Sequence, residues 1–434
     1  MTGTLEPDLN IAAVAVISGC VIIWGLVSAR LERWDITAPM VFVLLGVVAT
    51  NGAVTLMHVN LRSSDVRTLA EVTLALVLFA DASRVNARTL RAEAGLPTRL
   101  LSIGLPFTIG LGTVAAFGLF PGIGIWVAAT IGAIVAPTDA ALGASIMQDE
   151  RVPVAVRRVL NVESGLNDGI ATPFVNLFLA GALTAEAVHS AGVGQAAVDL
   201  IGGAALGAAA GLLGAVLMRS ANRAGWSAPE FRPLSILALA LFAYAIALLA
   251  GVNGFVSAFV AGSAFGTVVA DDGMLGFAEE AGTLMSLLVW FFFGAVMLVP
   301  GFEAASWRDV VFALLALTVV RMVPVALALI GSGCDRSTIA FIGWFGPRGL
   351  ASVVFGLIAT DALLPDDSHL VLGAVTVTVT MSVVLHGVSA SPLAGRYGQT
   401  AGRLPPGPEH RPVEPVSTRK LAGGARFLGP GSQP

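Results

Sequence analysis

Thirteen predominantly apolar stretches, at about 11–29, 37–57, 68–83, 100–119, 123–147, 155–183, 192–218, 233–250, 253–270, 281–300, 308–330, 337–360 and 368–391, constrain this chain more than any other feature. Most approach the roughly 20 residues a helix needs to cross the hydrocarbon core of a bilayer. In lipid each backbone polar group must be satisfied inside its own segment, so such runs fold as spanning helices. The third run is short, and the fifth and sixth are interrupted. Charged residues make up 12% of the 434, about half the share in a soluble domain, and mean hydropathy is +0.85. The expected fold class is therefore an all-α polytopic membrane protein.

Loop charge gives the spans an orientation. With the N-terminus outside, the inner loops collect thirteen basic residues, from Arg30 to Arg336, against Arg62, Arg67 and Arg308 in the outer loops. That is the positive-inside pattern, and it places the C-terminus in the cytoplasm. The loop around Asp271 and Asp272 has no basic residue and is the weak point. MTGTLEPDLN, before the first run, has acids but no Lys or Arg. It does not read as a cleavable signal, so the first run is expected to stay as a span. From Gly398 the chain turns rich in Pro, Gly and Arg, and 398–434 is expected to be a disordered cytoplasmic tail.

Several classes of chemistry are disfavoured. Cys20 and Cys334 are isolated and the five histidines scattered, so neither a disulfide framework nor a transition-metal site is expected. A net charge of −4 without a basic patch outside the tail gives no reason to expect a nucleic-acid partner. No cofactor and no enzymatic activity are expected.

The fifth and twelfth runs contain IGAIVAPTDAALGAS and IGWFGPRGLASVVFG. Each starts with Ile-Gly and reaches a Pro and then a charge, and interrupted spans at matching places in two halves point to a transporter's binding site. Runs one to six (about 11–183) and eight to thirteen (about 233–391) would be repeats joined by a linking helix at about 192–218. The odd number of spans between them would leave the halves inverted.

Charge inside a span is costly and has to be paired, hydrated or titrating. The residues concerned are Glu71, Asp81, Asp139, Glu163, Asp168, Arg321 and Arg348. Asp81, near the end of its run, reads as interfacial. In the sixth run Ser164 and Asp168 are four apart and share a helix face, while Glu163 and Asn167 share the next. These groups offer oxygen, the ligand type of a hard cation. In the fifth run Pro137 removes a donor, and the carbonyls near Ile134 and Ala136 are expected to face a cavity beside Thr138 and Asp139. Asp168 is the expected carrier, because burial raises a carboxylate's pKa and lets proton and cation compete for it. Arg348 is expected to pair with Glu163. Arg321 could balance Glu71 or face the cytoplasmic cavity.

Together APTD (136–139), ESGLND (163–168), NGFVSAFVAG (253–262), GPRGLAS (346–352) and HGVSASPLA (386–394) resemble, in order, the sodium/proton exchangers among the monovalent cation:proton antiporters. The resemblance spans roughly residues 10–395. It implies two inverted six-helix repeats with crossed broken helices, a homodimer, and a core domain that slides against a dimerisation domain. It carries the family's cation and proton site onto Asp168, Asp139, Ser164, Thr138 and Asn167. The supporting ion pair falls on Glu163 and Arg348, and Glu71 looks like the third-span glutamate of some members. Asn167 before the key aspartate implies electroneutral exchange. Ala140, Val162 and Gly165 depart from the family pattern beside the site, which puts cation preference in doubt. The expected function is exchange of a monovalent cation, sodium foremost, for protons across the inner (plasma) membrane. Potassium exchange or efflux on the same fold stays open, with an intramembrane hydrolase as a remote alternative.

Overall fold

The computed structural model describes residues 11–51, 64–84, 95–185, 193–269, 272–405 and 407–410. The N-terminal segment, the loops holding Arg62, Arg88, Arg91 and Asp271, and the chain beyond His410 lie outside the described residues. Among those described there is no β-strand. The helices are α1 (Ile11–Leu31), α2 (Ala38–Asn51), α3 (Ser64–Arg84), α4 (Leu96–Leu119), α5 (Ile125–Ile134) and α6 (Ala144–Gln148). Then come α7 (Val154–Ala185), α8 (Val193–Arg223), α9 (Phe231–Leu249), α10 (Gly254–Val268) and α11 (Asp272–Phe292). The last of these runs on through a π-helical turn, Phe293–Leu298, to Ala304. The chain closes with α12 (Trp307–Ala328), α13 (Arg336–Trp344), α14 (Leu350–Ala362) and α15 (Pro365–Ala401). Eight of the described helices are long and apolar enough to cross a membrane.

Local chemistry sets several starts. The Asn253 side chain accepts from Val256 N at 2.9 Å and caps α10. Ser306 and Asp309 form a capping box at α12, and Asp335 caps α13 through Ser337 N at 2.7 Å. Each satisfies an amide that a helix's first turn leaves open.

Packing sorts the helices into two groups. The first holds α1–α3 and α8–α11, the second α4–α7 and α12–α15, and they meet where α3, α8 and α10 lie against α7, α3 against α14, and the end of α11 against α15. Small residues build the first group. A Cβ added at Gly203, Gly207 or Gly211 of α8 would come within 2.4 Å of the carbonyl oxygens of Asn253, Ser257 or Ala261. Only glycine lets α8 lie backbone to backbone on α10, the usual way helices associate without a hydrophobic drive between them.

Two expectations are corrected. The sixth run is not interrupted: α7 continues through Pro173, and the Asn176 side chain donates to Thr172 O beside it at 2.9 Å. The expected start of the tail, Gly398, falls within α15, whose Tyr397 ring stacks on Phe341 at 4.2 Å. Past the helix, Pro408–His410 folds back so that buried Glu409 accepts from Asp335 N at 2.6 Å and Thr338 Oγ1 at 3.1 Å. The Pro-rich composition concealed this, because one carboxylate at the start of α13 supplies the docking. Glu409→Ala leaves the Asp335 amide without its acceptor. It should lower stability in detergent by about 1–3 kcal/mol, read as a lower melting temperature, whereas Glu409→Gln, which keeps an acceptor oxygen, should lose less. Equal melting of Ala and wild type would show the docking to be idle.

Candidate functional site

Helical geometry breaks off after Ile134 and again after Trp344, and these two breaks cross: Asp139 N donates to Pro347 O at 2.7 Å. A break frees main-chain groups, and here each strand of the crossing satisfies the other's. Ser352 Oγ donates to Ile134 O at 2.7 Å. The fully buried Arg348 guanidinium donates to Ala136 O, to Pro137 O at 3.2 Å and to Ala316 O at 3.2 Å. The Ile134 and Ala136 carbonyls expected to face a cavity are therefore taken by Ser352 and Arg348.

Asp139 is similarly committed. Its Oδ1 accepts from Ala141 N at 2.7 Å and Leu142 N at 3.0 Å, and its Oδ2 from Leu350 N at 2.7 Å, in the first turn of α14. Three of roughly four lone-pair positions are filled, with the negative charge at the positive end of a half-helix. A Cβ at Gly349 would lie 2.0 Å from Asp139 Oδ2, so the close approach requires glycine there.

The expected partner of Glu163 is corrected. Arg321 donates Nη1 to Oε1 at 2.5 Å and Nη2 to Oε2 at 2.9 Å, a bidentate pair with both residues 3% exposed. Arg348 is not part of it, because its guanidinium is spent on the carbonyls of the first break. Arg321 reaches Glu163 from just past Thr318, where α12 bends (φ −113°, ψ −90°).

Beside the crossing, two α7 residues, Ser164 and Asn167, meet Thr138. Thr138 Oγ1 lies 3.0 Å from Ser164 Oγ, and Asn167 Nδ2 donates to Thr138 Oγ1 at 2.6 Å. Asn167 Oδ1 is buried without a hydrogen-bond partner. Asp168, 8% exposed, follows one turn after Ser164. The arrangement is an oxygen-rich pocket beside a carboxylate, with one acceptor open, and it suits a hard cation or a proton. Among the described residues no group of three or more His, Cys, Asp or Glu could hold a metal ion.

Glu71 lies elsewhere, accepting from Arg67 Nε at 2.7 Å and from the Tyr244 hydroxyl at 2.9 Å, with Arg67 also bonded to Asp361. It is ten residues, or about 15 Å of helix, from Asp81 on α3. Asp81 is the third-span acid beside the pocket: a Cβ added at Gly165 would sit 3.8 Å from Asp81 Cβ. Sequence reasoning missed it because its place near the end of a run read as interfacial. The signal was Gly165, a small residue between Ser164 and Asp168 that admits a neighbouring helix.

The two faces of the molecule differ. On the face where α15 ends, a cavity of about 460 Å³ is lined by Glu32, Asp35, Ala141, Gln148, Asp149 and Arg151, and reaches the turn after Asp139. The Arg151 guanidinium beside Asp149 holds its carboxyl below the usual carboxylate range, while burial pushes Asp35 above it. On the opposite face, a cavity of about 450 Å³ lined by Glu303, Thr360, Asp361 and His369 reaches inward to Leu357. Leu357 with Val66, Ala70, Phe292, Phe293 and Val353 encloses only about 10 Å³, about one water-sized sphere.

Comparison with known proteins fits this geometry. The fold is shared with the sodium proton antiporter MjNhaP1 from Methanocaldococcus jannaschii, at a TM-score of 0.72 and 19% identity over 90% of this chain and 100% of that one. A probable Na⁺/H⁺ antiporter of Schizosaccharomyces pombe is 28% identical over 68% of this chain and 41% of its own length. The K⁺/H⁺ antiporter NhaP of Alkalimonas amylolytica is 27% identical over 89% of this chain and 66% of its own. The chain thus spans from about two fifths to about two thirds of these curated relatives. Residues 15–396 match the transmembrane sodium/hydrogen exchanger family, and with the crossed breaks and the α7 pocket in place, the chain belongs to that family.

Proposed function

We propose that this protein is a secondary antiporter that exchanges a monovalent cation, sodium foremost, for protons across the cell membrane, with Asp168 as the group both ions share. The observation that carries the reading is the oxygen pocket of Thr138, Ser164 and Asn167 beside buried Asp168, with the Asn167 carbonyl left open. A carboxylate in that setting binds a proton or a partly dehydrated cation at one place, and competition between them couples the two fluxes. Asp139 acts as the anion that fixes α14 against the first break, and Asp81 borders the pocket from α3. One negative group at the exchange position, with Asn167 in place of a second acid, supports a one-for-one, electroneutral exchange.

Alternating access is supported by how far each cavity reaches: one extends to the turn after Asp139, while the other stops at Leu357, where apolar side chains close the way inward. We take the cavity side as cytoplasmic, following the arginine distribution, with the spans as two inverted repeats. A homodimer follows the family resemblance, and exposed apolar residues of α1 and α8, such as Ile22, Leu26, Ile201 and Leu217, offer surface to a second copy or to lipid. The names of the relatives include both sodium and potassium exchange, so the test must present both ions.

Protein in sealed vesicles with an internal pH dye and an imposed proton gradient should move protons when sodium, lithium or potassium is added. The active ion identifies the substrate. Asp168→Asn should abolish the response while inserting and folding as wild type does. No proton movement with any of the three in wild type would sink the reading.

The Glu163–Arg321 pair yields a second prediction. Removing one member of a buried pair leaves an uncompensated charge, at about 3–5 kcal/mol. Arg321→Gln or Glu163→Gln should each lower the detergent melting temperature sharply, and the double variant by less than their sum. The same cycle for Glu163 and Arg348 should show weaker coupling. Equal or reversed couplings would contradict the pairing described here.

A further inference from the structure

The exchange mechanism gives no role to the HG motif late in the chain, yet its histidine sits at the second break. In an α-helix the amide of residue 348 donates to the carbonyl of residue 344, and the break after Trp344 opens that bond. Both ends are picked up by two side chains of α15. Arg348 N donates to Ser382 Oγ at 2.6 Å. Ser382 Oγ lies 3.2 Å from His386 Nδ1, and His386 Nε2 lies 2.9 Å from Trp344 O. Ser382 and His386 are four apart on one helix face and buried. The Trp344 ring packs over the imidazole with centroids 5.3 Å apart, which fixes the ring's plane.

The proton positions follow from what each group can do. A carbonyl only accepts, so the bond to Trp344 requires the ring proton on Nε2. Nδ1 faces Ser382 O at 2.9 Å, which a second ring proton would engage, and Ser382 Oγ at 3.2 Å, whose hydroxyl donates to Nδ1 when that nitrogen carries no proton. In both states the hydroxyl oxygen accepts from Arg348 N, and Trp344 O also accepts from Gly346 N at 2.8 Å.

We propose that Ser382 and His386 are positioning residues for the exchange: two side chains splice the opened 348-to-344 hydrogen bond and hold the second break in register with the cation site. The route is short. Arg348 spliced at its amide keeps its guanidinium on the first break, and Leu350, two residues on, holds Asp139. Asp139 follows Thr138, whose hydroxyl meets Ser164 and Asn167. A loosened splice therefore shifts ligand geometry without removing a ligand, and its signature is weaker cation binding.

The test uses the purified full chain and the variants His386→Gln, His386→Asn, His386→Leu and Ser382→Ala. Each is assayed for sodium-driven proton movement in vesicles and for amide hydrogen exchange over residues 344–352. Gln carries an N–H at the reach of Nε2 and should keep KM within about threefold of wild type, whereas Asn, Leu and Ser382→Ala should raise it about tenfold or more. Maximal rate per folded protein should change little, and the 344–352 amides should exchange faster in the Asn, Leu and Ala variants. A role in packing alone would lower yield or melting temperature at unchanged KM and unchanged exchange, and that result overturns the proposal. The KM readout rests on the exchange proposed above, but the hydrogen-exchange readout does not. Should wild type move no cation, protection of 344–352 that survives in Gln and fails in Asn and Leu still supports the splice. Uniform protection refutes it.

Discussion

A membrane interior gives a broken helix no water to bind, so everything at this site depends on how the two breaks satisfy each other. Each unpaired backbone group in such surroundings costs several kcal/mol. The crossing meets that demand with charges placed at the ends of half-helices. The Asp139 carboxylate sits at the N-terminus of α14, and the Arg348 guanidinium at the carbonyls that end α5. Each charge comes from the other break and faces the dipole end that favours it. Neither half of the site keeps its shape alone, which is why a segment 200 residues downstream sets the geometry around Thr138.

The proposed exchange rests on Asp168, and two acids near it are already committed. Of the acids buried in the second group of helices, Glu163 is held by two N–H groups of Arg321 and Asp139 by three amides. A group held so firmly loses those bonds on protonation and makes a poor proton carrier. Asp168, 8% exposed, follows one turn after Ser164, whose hydroxyl meets Thr138. Asp81 arrives from the other group of helices on the side where Gly165 leaves room.

How much of this could be read in the sequence depended on whether one segment sufficed. The apolar runs and the broken spans at Pro137 and Pro347 are local, and they were legible. The partner of Glu163 was not. Two arginines lay within spans, and choosing between them required knowing that Arg348 would be drawn to the carbonyls of the other break. Glu71 and Asp81 sit on one helix, and only the docking of α7 through Gly165 shows which of them reaches the pocket. The tail misled for a related reason: Pro and Gly content describes what a segment cannot build alone, and Glu409 is held by α13 rather than by its own neighbours.

The ion pairs also bear on how the proposed sliding could occur. Glu163–Arg321 is buried and joins α7 to α12 within one group of helices. Arg84–Glu279 joins α3 to α11 within the other. Arg67–Asp361 joins α3 to α14 and so crosses between the groups, and its members are 40% and 39% exposed. An exposed pair contributes about 0–1 kcal/mol, whereas breaking a buried one costs several. The first two pairs thus act within their groups, while Arg67–Asp361, a pair that spans them, sits where water can replace either partner. On the face lined by Glu303 and His369, Arg67 keeps Glu71 when it lets go of Asp361, which borders the cavity there and is left to water. That face is also closed by the apolar contact of Val66 and Ala70 with Val353 and Leu357, and by the end of α11 packed on α15, where a Cβ added at Gly301 would meet Thr376. Such a contact depends on area rather than direction and can be remade after a shift, which suits two bodies that slide past each other.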